Sequence, residues 1–159
     1  MNRRPKHIEG FTLIELLIVI AVVAILCSIG VPGLLAARKA GNEGVAIPTL
    51  KSMVAAEETY KNRNLGGTNC YANLAQLVSA SHLSFPEDNH DGSFTASQYR
   101  YSTVECTASG YALKAEPLSA SAGGRCFAVT EDGYIREKAA SVLTESTGAQ
   151  LRGLSIVAR

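Results

Sequence analysis

The dominant feature of the hydrophobic pattern is one uncharged apolar run near the N-terminus, from Leu16 to Ala37. As an α-helix, a run of about 22 residues is roughly 33 Å long, which is enough to cross a bilayer. Basic residues precede the run and return only at Arg38 and Lys39. Because a positive flank stays on the cytoplasmic side, the pattern predicts one membrane-spanning helix with the C-terminal part of the chain outside.

The next part of the pattern, residues 38–64, continues with a helical period. Apolar residues recur at spacings of three and four among charged ones, and this stripe predicts an amphipathic continuation of the first helix. Its members are Val45, Leu50, Met53, Val54 and Tyr60. Gly41, Gly44 and Pro48 weaken the helix, and Pro48 is a candidate bend.

Residues 65–138 show the shorter periods of a small head. A helix is predicted over 71–83, followed by a loop over 84–93. Alternating residues then predict four strands, with a tight turn at Asp132-Gly133 before the last of them. The predicted strands are 99–105, 111–116, 126–130 and 134–136. We therefore predict an α+β fold in which a small antiparallel sheet packs on the outer half of the long helix.

Composition and charge exclude several functions. The chain has 159 residues and a formal net charge of +1. A nearly neutral protein offers no large footprint for polyphosphates, which argues against nucleic-acid binding as the main activity. No glycine-rich phosphate loop follows a strand, and the three histidines form no Ser/His/Asp set, so neither a catalytic site nor a cofactor is predicted. Residues 139–159 are rich in Ser, Thr and Ala and are expected to form a partly disordered tail.

Glu15 is an acidic residue at the start of the apolar helix, where a bare charge is expensive. Snorkelling of its side chain to the membrane interface is one alternative, since the residue lies near the membrane edge. An uncleaved signal anchor explains the length and the flanking charges but not this carboxylate. A secretory signal peptide has a shorter apolar core and a cleavage site of small residues, and Leu35-Ala36-Ala37-Arg38 is a poor one.

The segment from Gly10 to Ile20, GFTLIELLIVI, resembles the N-terminal motif of type IV pilins and type II secretion pseudopilins. The motif is highly specific because it combines a basic leader, a glycine, an aromatic residue and a glutamate at fixed spacing. The resemblance extends to Pro32 and is strong over the first third of the chain, whereas the head is only loosely similar. It implies that prepilin peptidase cuts between Gly10 and Phe11 and N-methylates Phe11.

In filaments of that family, the apolar helix leaves the bilayer and packs into the filament core. The resemblance implies that Glu15 there faces the ammonium group of Phe11 of an adjacent subunit. Because each desolvated charge is costly alone, the pair sets the axial register, as a buried polar residue does in a coiled coil. Gly30 and Pro32 mark a helix break that tends to melt or extend in such filaments, whereas we expect a continuous or kinked helix in a single subunit.

These observations divide the chain into five segments. They are a cleaved basic leader (1–10), a transmembrane and filament-core helix (11–37), its amphipathic continuation (38–64), the head (65–138) and the tail (139–159). The predicted function is that of a structural subunit of a type IV pilus or pilus-like filament used in adhesion, motility or secretion. Its predicted partners are further copies of itself, prepilin peptidase, the assembly platform and, before assembly, membrane lipids.

The predicted location is the bacterial inner membrane, with the leader in the cytoplasm and the head in the periplasm, and then an extracellular pilus or a periplasmic pseudopilus. Three alternatives stay open. The chain is a type II secretion pseudopilin, a minor pilin for adhesion or DNA uptake, or a membrane-anchored ligand-binding module that never polymerises. The last alternative predicts an intact leader.

Four cysteines add a constraint on the head. Cys27 lies in the apolar run and is predicted to be a small core residue. Cys70, Cys106 and Cys126 lie outside the membrane, where disulfides form, and three cysteines permit one bridge. Because a meander separates Cys106 from Cys126 by most of a strand, the candidate pairs are Cys70 with Cys126, which we favour, and Cys70 with Cys106.

No metal site is predicted with any strength. The chain has no Cys-x-x-Cys pair, and His82 and His90 lack the spacing of zinc ligands. Asp88, Asn89 and Asp91 are weak candidates for calcium binding. They lack the spacing and the closing glutamate of an EF-hand, so a solvated acidic loop is the preferred interpretation.

Overall fold

The structure is a computed structural model that describes residues 10–65, 71–80, 88–89, 92–139, 142–144 and 147–158, with residues 88–89 and 158 described for their backbone alone. This part of the chain contains three helices and seven strands. The helices are α1 (Leu13–Asn62), α2 (Leu74–Ser79) and α3 (Gly148–Leu151). The strands are β1 (Asp88–Asn89), β2 (Ser93–Ala96), β3 (Tyr99–Cys106), β4 (Tyr111–Pro117), β5 (Cys126–Thr130), β6 (Ile135–Lys138) and β7 (Ser155–Ala158).

The chain divides into two compact units, one ending at Ala36 and the other beginning at Ala37. In the first unit every described residue of α1 is exposed. The most apolar window of α1 has a mean hydropathy of 2.9, so the helix is long and apolar enough to cross a membrane. α1 runs unbroken through Gly30 and Pro32. A proline removes one backbone hydrogen bond, and the turns on either side carry the helix past it.

The second unit contains one seven-stranded sheet in the order β1-β2-β3-β4-β5-β6-β7. Every strand pairs antiparallel with its neighbours in sequence, so the sheet is a simple meander. The register sets Tyr101 of β3 opposite Ala115 of β4, and Ala115 opposite Phe127 of β5. These three residues point to the same face of the sheet and begin its core.

The outer part of α1 supplies one buried stripe to this core. Its apolar members recur at three- and four-residue spacing: Ala46, Leu50, Met53, Ala56 and Tyr60. They share one cluster with inward-facing residues of the sheet, which are Phe94, Tyr99, Tyr101, Tyr111, Leu113, Ala115, Phe127, Val129 and Ile135. Phe94 and Tyr101 stack with ring centroids 4.6 Å apart. Aromatic and aliphatic burial therefore holds this part of the helix against the sheet.

The other face of the sheet is covered by the C-terminal residues. Alternation along β4 and β5 turns Ala112, Cys126 and Ala128 to this side, where they cluster with Leu143 and Leu151. β5 is consequently buried over its whole length. Within the tail that was expected to be partly disordered, residues 147–158 are folded, because α3 covers this second cluster and β7 pairs with β6.

Arg136 fixes the C-terminal residues to the turn between β5 and β6. Its guanidinium donates to both carboxylate oxygens of Asp132, at 3.0 Å and 2.5 Å, and its Nε donates to the carbonyl of Arg152 at 3.2 Å. This bidentate hydrogen bond is the main reason that the pKa of Asp132 is lowered to about 2. Gly133 has a φ of +73°, which glycine adopts readily, and the predicted turn is present.

The predicted α+β class is confirmed, and the four predicted strands correspond to β3, β4, β5 and β6. The loop predicted over 84–93 was wrong at Asp88–Asn89, which form β1, and at its end, where β2 begins at Ser93 and pairs with β1 and β3. The alternation of Ser93-Phe94-Thr95-Ala96 is short, and only pairing with the longer β3 makes it a strand.

α2 is shorter at its start than the helix predicted over 71–83. Asn73 caps it, because its side-chain oxygen accepts from the N–H of Gln76 at 2.9 Å while the Gln76 side chain accepts from the N–H of Asn73 at 2.8 Å. This reciprocal capping box satisfies two backbone donors and fixes the first residue of the helix at Leu74.

Candidate functional site

The start of α1 is organised by Thr12 and Glu15. Oε2 of Glu15 accepts from the backbone N–H of Thr12 at 2.9 Å and from its hydroxyl at 2.6 Å. In return, the N–H of Glu15 donates to the Thr12 hydroxyl at 3.3 Å. This is a capping box, in which two backbone donors at the helix start are satisfied by two side chains. Sequence reasoning missed the role of Thr12, although the Thr-x-x-Glu spacing is its signature.

The capping box occupies only one carboxylate oxygen of Glu15. No hydrogen bond to Oε1 is found within the described ranges, so this oxygen can accept from a donor outside the chain. Phe11 is 88% exposed, and Gly10 is exposed as well. The predicted cleavage bond between Gly10 and Phe11 and the carboxylate of Glu15 therefore lie together at one accessible helix end.

Beyond this end, α1 presents a continuous apolar surface. Most of its large side chains are more than half exposed: Leu13, Ile14, Leu16, Leu17, Ile18, Val19, Ile20, Ile25, Leu26, Ile29, Val31 and Leu34. Cys27 is exposed on the same helix and is not part of the core of the single chain. A soluble monomer does not leave so large an apolar patch in water, so this surface requires lipid or other helices.

The helix becomes part of the head at Glu43, the first buried residue of α1. Its Oε1 accepts from the N–H of Gly124 at 2.9 Å, and its Oε2 accepts from the Nε and Nη2 of Arg125 at 2.8 and 2.7 Å. Arg125 also donates from Nη1 to Glu137 of β6 at 2.6 Å. One helix turn, the loop before β5 and strand β6 are thus joined by a single guanidinium, and we call Glu43, Gly124, Arg125 and Glu137 the clasp.

The electrostatics of the clasp favour the charged form of Glu43. Burial raises the pKa of this carboxyl, but the N–H of Gly124 and the guanidinium of Arg125 outweigh burial, and the pKa lies below its ordinary value. The hydrogen bond from Asn42 to the carbonyl of Ala122, at 2.7 Å, adds a neutral contact beside the ion pair. The clasp is therefore a structural joint and offers neither a nucleophile nor a metal ligand set.

The remaining candidates are not brought together. Cys106 ends β3 opposite Tyr111, whereas Cys126 begins β5 opposite Lys138, so they lie near opposite ends of β4. Cys70 lies outside the described residues. The side chains of the calcium candidates Asp88, Asn89 and Asp91 also lie outside them, and no cluster of metal-ligating side chains occurs in the described part of the chain.

A membrane-length apolar helix, a capped glutamate at its start and a meander sheet packed on its outer half define a pilin-like protein. A family profile described as the prokaryotic N-terminal methylation motif matches residues 5–31. The type IV wide pilus major component PilA4 of Thermus thermophilus is 37% identical over 128 residues, which cover 80% of this chain and 85% of that relative. The chain belongs to the type IV pilin family, whose members are structural rather than catalytic proteins.

Proposed function

We propose that this chain is a structural subunit that polymerises through its N-terminal helix into a type IV pilus or a pilus-like filament. The observation that carries the proposal is the exposed apolar surface of α1 with a capped carboxylate at its start. Before assembly this surface lies in the inner membrane, with the basic leader in the cytoplasm and the head in the periplasm. After assembly it packs against the helices of neighbouring copies.

Processing supplies the charge partner for Glu15. Cleavage between Gly10 and Phe11 leaves a free ammonium group on Phe11, which is then N-methylated. In the filament, Oε1 of Glu15 accepts from the ammonium of a neighbouring copy while Oε2 remains with Thr12. Because an unpaired charge in the filament core is costly, the axial stagger of subunits that pairs Glu15 with this ammonium is preferred over others.

Mass spectrometry of the protein purified from its membrane tests the processing step. The expected mass lacks residues 1–10 and carries one additional methyl group. An intact leader would contradict the proposal and would favour a membrane-anchored module that does not polymerise.

Substitution of Glu15 tests the role in register. Glu15→Gln keeps an oxygen for the Thr12 N–H but removes the charge, and we expect its incorporation into filaments to fall at least about tenfold. The control Thr12→Val removes the hydroxyl and keeps the carboxylate, and it is expected to incorporate at nearly the level of the unsubstituted chain. Normal incorporation of both Glu15→Gln and Glu15→Ala would refute the register role.

The relative, rather than the helix, supports a choice between the kinds of filament. The similar protein of Thermus thermophilus is a major pilus component, which favours a pilus over a secretion pseudopilus. We expect most of the processed protein in filaments sheared from the cell surface. Retention in the periplasm would favour a pseudopilin instead.

We also propose that Cys70 pairs with Cys106 rather than with Cys126. Tyr71, the neighbour of Cys70 in sequence, donates its N–H to the carbonyl of Thr107 at 3.2 Å, which is next to Cys106. Cys126 is buried on the second face of the sheet. Peptide mapping without reduction should yield a peptide linked between Cys70 and Cys106, and a Cys70–Cys126 peptide would contradict this assignment.

A further inference from the structure

Glu57 is the second buried carboxylate of α1, and its surroundings differ from those of Glu43. Its side chain is 0% exposed, and Oε2 accepts from the N–H of Ala72 at 2.9 Å. Oε1 has no hydrogen-bond partner among the described residues. A buried carboxylate with one donor and one unsatisfied oxygen is costly when it is charged and much less so when it carries a proton.

Among the described residues, no cation forms an ion pair with Glu57. The ammonium of Lys61 lies 4.1 Å from the ring centroid of Tyr71, whose hydroxyl donates to Glu58 at 3.3 Å. Tyr71 packs edge-on against Tyr111 with centroids 4.8 Å apart, and the hydroxyl of Tyr111 is buried without a partner in the described part of the chain. The described titratable groups around Glu57 and Tyr111 are Glu58 and Lys61 on α1, Tyr71 before α2 and Glu131 after β5.

These conditions favour the neutral acid. Burial raises the pKa of Glu57 to about 7, and the negative charge of Glu58 adds to this effect while the hydrogen bond from Ala72 opposes it. Burial also raises the pKa of Tyr111, with further contributions from Glu58 and Glu57. The described ionisable groups around Glu57 are therefore mostly acids, and the ammonium of Lys61 lies over the ring of Tyr71.

The segment that covers Glu57 is Tyr71–Ala80. Ala72, Leu74 and Leu77 of this segment belong to the core cluster, so its packing is specific. Two polar contacts join it to β3 and the hairpin that follows: the N–H of Leu74 donates to the Thr103 hydroxyl at 3.1 Å, and Tyr71 donates to Thr107. Opening this segment is the local motion that would admit water to the carboxylate.

We propose that Glu57 is a proton-dependent lock that holds the segment Tyr71–Ala80 against α1, closed while the carboxyl is protonated and loosened when it ionises. The closed form binds the proton more tightly than the open form, in which Glu57 is hydrated. Opening is therefore expected to increase about tenfold per pH unit between roughly pH 5 and pH 7 and to level off above that range. The lock would make the head of this pilin respond to mildly acidic surroundings.

The test is hydrogen–deuterium exchange of the full chain in detergent micelles at pH 5, 6, 7 and 8, corrected for the intrinsic pH dependence of exchange. The amides of residues 72–79 should lose protection by at least about tenfold between pH 5 and pH 7. Glu57→Gln keeps an acceptor for Ala72 and cannot ionise, so protection of this segment should become independent of pH. Unchanged protection of the unsubstituted chain over this range would overturn the proposal.

Glu58→Gln is the matched control. It makes the same chemical change one residue away, and the segment should keep its pH response with a midpoint moved to lower pH, because a negative neighbour is removed. If Glu57→Gln does not fold, the carboxyl of Glu57 in the unsubstituted chain is titrated by carbon-13 NMR. A midpoint near 7 that coincides with the loss of protection supports the lock, and a midpoint at the ordinary value of glutamate overturns it.

Discussion

Glu43 and Glu57 are two buried carboxylates on the same helix, about four turns apart, and their surroundings differ in kind. Glu43 accepts one backbone N–H and two guanidinium donors. Glu57 accepts one backbone N–H and leaves an oxygen without a partner in the described structure. The pKa of Glu43 is consequently lowered, whereas burial raises the pKa of Glu57 to about 7.

The comparison shows that burial alone does not decide the charge of a carboxylate. A guanidinium with part of its surface in water can neutralise Glu43 without being fully desolvated itself, since the Arg125 side chain remains 42% exposed. Glu57 lies where tyrosine rings and a second acid approach it instead. The contact of α1 with the head at Glu43 is therefore charged, whereas the contact at Glu57 is neutral only below about pH 7.

The largest expected effect is a fall in stability with rising pH that depends on Glu57. Since its folded pKa lies above the unfolded value, the contribution of Glu57 to stability is fully present below about pH 4.5, falls as the pH rises to about 7 and is constant above it. The change should approach about 3 kcal/mol, and Glu57→Gln should remove most of it. Urea unfolding in detergent, followed by tyrosine fluorescence, measures this. If the free energy of unfolding does not change from pH 5 to 7 in either protein, Glu57 does not differ from Glu43 in the way proposed.

A second effect tests the loop that carries the clasp. A Cβ at Gly123 would lie 2.2 Å from the hydroxyl of Tyr99, which is fully buried and donates to the carbonyl of Arg125 at 2.7 Å. Gly123→Ala should therefore displace the loop and destabilise the head by about 2 kcal/mol. Thermal unfolding should show a clear decrease in Tm.

The matched control for this loop is the next residue. A Cβ at Gly124 would meet nothing closer than Glu43 at 3.8 Å, which is an ordinary contact. Gly124→Ala keeps the N–H that Glu43 accepts, and it should unfold close to the unsubstituted protein. Equal losses for both substitutions would mean that glycine is required for flexibility rather than for the approach of Tyr99.

The sequence predicted those parts of the molecule that are determined by local patterns. The apolar run, the glutamate at its start and strands β3 to β6 each have a period or a turn signal within a few residues. The strand β7 was missed because four residues, with Ile156 and Val157 both partly exposed, show no alternation until β6 is beside them. Pairing, rather than propensity, makes that strand.

The sequence could not predict the different surroundings of Glu43 and Glu57, for a related reason. Arg125 is 82 residues from Glu43, and no spacing rule connects them. Glu57 and Glu58 stand side by side in the sequence as an ordinary charged pair, and only the packing of α1 buries the first and leaves the second partly exposed. Thr12 is different, since its spacing from Glu15 was a local signal that could have been read.

The smallest expected effect concerns the charged contact at Glu43. Arg125→Gln removes the cation and leaves Glu43 with the N–H of Gly124. Because the ion pair is partly hydrated, the free energy of unfolding should fall by about 1 kcal/mol at neutral pH. The stability from Glu43 is present above about pH 4.5 and is lost as the pH falls through its lowered folded pKa, so the deficit of the variant should shrink at acid pH. Unfolding at pH 7 and pH 3 measures the difference. Because Glu57 affects both proteins alike, it cancels from the comparison, and a deficit that did not shrink at pH 3 would show that Arg125 acts through packing rather than through its ion pairs with carboxylates.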